Sequence, residues 1–154
     1  MNEQRTMKLG PYEFAIHSAE FRFITQSWSG PGWDFTIKGT CNNDDQDFFP
    51  YGARISAEAA PLPMAKSEDY TGIELDLPLP YDDDSGEPFF GINVMEEHPI
   101  SEVHLRFSKR EGDHYLIEFT GMAAETVLGQ EARLDFAVWA KELPDHAYPF
   151  KECP

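Results

Sequence analysis

Apolar and polar residues alternate along most of this chain with a period of two. Tyr12, Phe14 and Ile16 alternate with Glu13, Ala15 and His17, and Trp33, Phe35 and Ile37 alternate with Asp34, Thr36 and Lys38. The pattern returns over residues 53–59, 73–77, 103–107 and 132–138, and Phe90, Ile92 and Val94 follow a turn. A period of two puts one row of side chains in a core and the other in water, as in antiparallel strands; buried parallel strands are apolar on both faces. Residues 21–27 and 115–120 read as further strands with extra apolar residues, Ile24 and Leu116, on the second face. Those two are expected to be central.

The connections agree. Lys109-Arg110-Glu111-Gly112-Asp113 joins two strong strands as a hairpin with glycine at a turn position. Ser29-Gly30-Pro31-Gly32 separates another pair, and irregular loops cover 42–50, 61–71 and 78–88. Residues 122–130 are the one candidate helix, of about two turns. The expectation is an all-β fold: an antiparallel β-sandwich of about eight or nine short strands, with a Greek-key order among the options and at most one short helix. Residues 1–154 are read as one domain. Phe14, Phe35, Ile37, Ile55, Leu75, Ile92, Leu105, Ile117 and Phe136 are its expected core.

Charge narrows the partners. There are 28 Asp and Glu against 12 Lys and Arg, a formal net charge of −16. Such a surface repels nucleic acid and anionic lipid, which bind through basic patches. Residues 1–9 are polar and do not resemble an export signal, and no apolar run reaches the length of a spanning helix. Cys41 and Cys153 lie far apart in the chain and are read as reduced thiols of a cytoplasmic protein.

Candidate chemistry is sparse. Asp44, Asp45 and Asp47 crowd one loop, and Asp82, Asp83, Asp84 and Glu87 another. Calcium takes 6–8 oxygen ligands, but neither loop has the ordered acidic positions of a helix-loop-helix site, and solvated turns are the plainer reading. Trp28 and Trp33 flank a Gly-Pro turn and could stack on a ring-shaped ligand, although Trp33 reads first as a core residue. His104 and His114 flank the hairpin and could meet across it, which would make half a metal site. No nucleophile elbow, phosphate-binding loop or metal-binding motif occurs, so no catalytic residue, metal or cofactor is assigned. The leading expectation is a non-enzymatic binding or inhibitory protein that presents acidic residues to a basic protein partner. Its contact region is Asp82, Asp83, Asp84 and Glu87, supported by Asp44, Asp45 and Asp47, with Tyr81 and Phe89 as aromatic anchors. A calcium-dependent binding module and a small enzyme with a carboxylate or histidine site are the alternatives.

Overall fold

The computed structural model describes residues 3–10, 12–26, 32–41, 52–60, 68–81, 86, 88–94, 96–123 and 131–147. The alternating segments form strands, and no helix occurs among the described residues. In chain order these are β1 (Thr6–Leu9), β2 (Tyr12–Gln26), β3 (Gly32–Cys41), β4 (Ala53–Ala60) and β5 (Glu74–Leu77), then β6 (Gly91–Val94), β7 (Glu96–Glu111), β8 (His114–Ala123), β9 (Ala132–Glu142) and β10 (His146–Ala147). The hairpin is as expected. Glu111 pairs with His114, and Gly112 has φ +61° at the first of two turn positions, where a type II′ turn needs glycine.

Two strands are longer than the sequence pattern suggests, because bulges absorb changes of phase. In β2 the core-facing residues shift from even positions (Phe14, Ile16) to odd ones (Phe21, Phe23). A bulge between Ile16 and Ser18 leaves His17 out of the pairing and takes up the slip, so the two expected strands are one. β7 does the same between Ile100 and Val103, with Glu102 in the bulge at φ +53°. The expected helix at 122–130 is corrected at its start: Met122 and Ala123 end β8, opposite Arg133 and Ala132. Residues 124–130 lie outside the described set.

The all-β expectation holds, and the sandwich does not. The wall runs β2-β3-β4-β6-β7-β8-β9 and returns to β2, a closed barrel of seven strands. Apart from the step from β4 to β6, which passes over β5, and the closing β9–β2 pair, strands adjacent in the wall are consecutive among the described strands. Seven strands alternating in direction leave one neighbouring pair parallel, and that pair is the seam. Glu20 lies beside Lys141 and Phe21 beside Glu142, and Leu143 N donates to Phe21 O at 2.8 Å. Towards the start of β2 the two strands part, and the N-terminal segment fills the gap. There β1 pairs with β2, while Gln4 N donates to Ala137 O (2.6 Å) and Ala137 N to Gln4 O (3.1 Å). The correction has a plain cause: a barrel and a sandwich both need one apolar and one polar face, so alternation cannot tell them apart.

All nine expected core residues are buried, at 5% exposure or less. A barrel of about this size has an interior just wide enough for side chains to fill. Here aromatic rings fill it. Trp33 meets Tyr70 at 5.1 Å and Phe107 at 4.9 Å, Phe35 links to Phe90 at 5.6 Å, and Phe90 leads through Phe119 to Phe136. Tyr70 comes from the segment before β5 and closes one end, its backbone N donating to the Tyr115 hydroxyl at 3.1 Å. Ile24 and Leu116, the apolar residues of the second face, are buried too. Lys38, Arg54, Asp76, Arg106, Arg133 and Asp135 are exposed on the outer face.

Candidate functional site

The described residues on either side of the acidic segment, 78–81 and 88–90, are rooted in the barrel wall. β5 and β6 both pair with the same edge of β7, β5 against residues 103–106 and β6 against 96–99, and between them residues 78–81 leave β5 and residues 88–90 lead into β6. One wall position is thus occupied by a strand that is interrupted and then resumed. Its neck is tied down: Glu102 N donates to Pro78 O (3.1 Å), Ile100 N to Phe90 O (2.9 Å) and Phe89 N to Pro80 O (3.1 Å). Tyr81 and Pro88 form an isolated bridge further out. The bulge at Glu102 lies where β7 spans the interruption, so the backbone irregularities of the two strands coincide.

Tyr81 stands out from this neck at 46% exposure, with Leu79 beside it at 56%. Phe89 is half-buried and packs against the core, so of the two expected anchors it is Tyr81 that projects. Asp82, Asp83, Asp84 and Glu87 lie outside the described residues, as do Asp44, Asp45 and Asp47. The roots of the two loops are described and differ: the first springs from the barrel end at Cys41 and Gly52, the second from the wall.

Strand register adds carboxylates that linear reading missed. Glu97 and Glu102 are exposed at the root of the excursion, and neither forms an ion pair among the described residues. Further along the wall, carboxylates are matched. His104 sits between Asp76 (2.5 Å) and Glu74 (3.6 Å), and Arg106 between Glu74 (3.9 Å) and Glu118 (4.0 Å). Uncompensated negative charge therefore gathers at the root. The only signal for it in the sequence was the Glu96-Glu97 pair, and nothing there says that Glu102 joins it.

Other candidates resolve into structural roles. His104 pairs across to Thr120 while His114 pairs with Lys141 and Glu111, so the two histidines sit at different heights and do not meet. Trp33 is fully buried in the aromatic chain and cannot offer its face to a ligand; Trp28 lies outside the described residues. A wide cleft of about 920 Å³ opens beside Arg110, Asp113 and Lys141. Arg110 is engaged there already, donating to Gly112 O (2.9 Å) and Glu68 O (2.8 Å) and lying over the Tyr115 ring. The Thr71 hydroxyl (2.6 Å) and backbone N (2.9 Å) donate to Asp69 and hold its carboxyl below the usual range, with Arg110 helping. Burial pushes the Tyr115 hydroxyl up, outweighing the hydrogen bond it accepts from Tyr70 N. Among the described residues no three His, Cys, Asp or Glu side chains are grouped to hold a metal ion. Compared with known proteins, the chain matches no family model, no curated protein and no solved structure.

Proposed function

We propose that this protein is a non-enzymatic binding or inhibitory protein that offers the acidic excursion from its barrel wall to a basic protein partner. The observation that carries the reading is the exposed pair Leu79 and Tyr81 at the root of an Asp-rich excursion, beside Glu97 and Glu102. Charge steers encounter and sets specificity, whereas apolar and aromatic anchors supply most of the binding energy, and the root has both. The aromatic filling of the barrel supports the same reading, since an interior packed with side chains leaves the outer surface to meet a partner. The charged outer face is the reverse of a barrel in lipid and supports work in water, with the cytoplasm as the proposed compartment.

The test begins with capture of partners from the native host at low and then high salt. The recovered basic protein is then titrated against a variant with Asp82, Asp83 and Asp84 replaced by Asn, and against Tyr81→Ala. The triple variant should associate about tenfold more slowly at low salt, the defect shrinking as salt screens the field, and Tyr81→Ala should dissociate faster. If no basic protein binds in a salt-sensitive way, or both variants bind unchanged, the reading is wrong.

A further inference from the structure

We propose a second site on the opposite side of the barrel, at the β2–β9 seam: a groove for a neutral saccharide stacked on Trp139. Trp139 lies on the outer face of β9, half-buried and paired across to Leu116. It lines two surface clefts. One, of about 410 Å³, has Glu3, Arg5, His17 and His114 in its walls; the other, of about 600 Å³, has Thr71, Ser108 and Lys109. Trp139 thus stands between two polar grooves.

The first groove is pre-organised. Glu3 Oε2 accepts from Trp139 N at 3.1 Å, Arg5 Nε donates to Ile16 O at 3.2 Å, and His114 Nδ1 is 2.7 Å from Asp113 Oδ1. Each side chain is anchored by one atom and keeps another available. Glu3 Oε1, the Arg5 Nη atoms, His114 Nε2 and the Trp139 indole N–H make no hydrogen bond among the described residues. Side chains already held in place lose little freedom when a ligand binds. The seam itself creates the arrangement: β2 and β9 part around the N-terminal segment, and the β2 bulge frees His17 from the ladder.

The chemistry of the lining selects the ligand class. Donors and acceptors stand together beside an aromatic ring, and a sugar hydroxyl both donates and accepts while its apolar ring face stacks on indole. An anion fits less well, because Glu3 lines the groove, Asp113 sits against its His114, and the chain carries −16 overall. A purely apolar ligand would leave the polar groups unpaired.

The experiment is a nuclear magnetic resonance titration of the full chain with maltose, cellobiose and di-N-acetylchitobiose. At least one disaccharide should shift the Trp139 indole N–H and the His17 and His114 ring signals saturably, with a dissociation constant of about 1 mM. Trp139→Ala should abolish the shift. Because that change also uncovers Leu116, the exposed variants His17→Ala and His114→Gln provide a check independent of folding, and each should weaken binding severalfold. No saturable shift from any of the three sugars, or shifts unchanged in both histidine variants, would overturn the proposal. The acidic excursion takes no part, so its failure as a partner site would leave this result untouched.

Discussion

Two glycines with nearly the same backbone angle should respond very differently to a methyl group. Gly52 has φ +66° and Gly112 has φ +61°. A left-handed conformation costs an alanine about 1–2 kcal/mol, offset in part by the ~0.4–1 kcal/mol that Gly→Ala takes from the unfolded chain. At Gly112 that is the whole effect, since nothing lies within 4 Å of the position a Cβ would occupy. Gly112→Ala should therefore cost about 1 kcal/mol or less. At Gly52 the same Cβ would lie 2.0 Å from the backbone oxygen of Gly39. No rotamer change can relieve contact with a backbone atom, so β3 and β4 must separate where the chain enters β4. Forced overpacking of this kind costs roughly 1–3 kcal/mol beyond the backbone strain, which with the same unfolded-chain offset puts Gly52→Ala near 1–4.5 kcal/mol in total. Urea unfolding of both variants measures it through the midpoint at constant slope, and the thermal midpoints should separate by about 2–4 °C per kcal/mol. A Gly52→Ala variant within about 0.5 kcal/mol of Gly112→Ala would refute the close approach of the two strands.

Three further predictions can be checked with equally simple measurements. Ile117→Ala, in the centre of β8, should lose about 2–5 kcal/mol by chemical denaturation; a midpoint like that of the parent would mean the strand is misplaced. Tyr115→Phe removes the acceptor of the buried Tyr70 N–H and should cost about 1–3 kcal/mol at neutral pH. The raised hydroxyl means that the folded state holds its proton more tightly than the unfolded chain. Its contribution is present below pH about 10 and is lost as pH rises through the folded value, so the parent's stability should fall more steeply above that pH than the variant's. Parallel alkaline curves would contradict this. Glu102→Gly relieves the left-handed backbone in the β7 bulge and should change stability by less than about 1 kcal/mol, because strain relief and added unfolded-state freedom oppose each other; a large loss would show that the Glu102 side chain itself holds the neck of the excursion.

Much of the architecture was legible in the one-dimensional pattern. Alternation located the strands and identified core residues such as Phe14, Ile55 and Ile117, because facing inward is a local property of a pleated chain. The Gly112 turn was legible for the same reason: a two-residue hairpin is specified by the residues inside it. The bulges at His17 and Glu102 left a trace, the switch of apolar residues from even to odd positions. A one-residue slip, however, looks the same whether a strand ends or bends.

The candidate site was legible only in part. Asp82, Asp83 and Asp84 announce themselves by density, and Tyr81 by its neighbours. That Glu97 and Glu102 stand at the root of the same segment, beside Leu79 and Tyr81, depends on β7 passing the interruption between β5 and β6, which is a matter of register. Trp139 looked like one more residue of an alternating strand, and nothing local marked it as the wall between two grooves.

The sequence by itself determined that this chain is all-β, which residues face the core, and that the surface is strongly negative, since periodicity and charge are sums over local choices. Tertiary structure alone decided that the sheet closes. The sandwich and the barrel bury the same faces. They differ only in whether the edges of β2 and β9 find each other, a pairing of residues more than a hundred positions apart. With seven strands in the ring that pairing must be parallel, and the place where the two strands part around the N-terminal segment is the site of the groove beside Trp139.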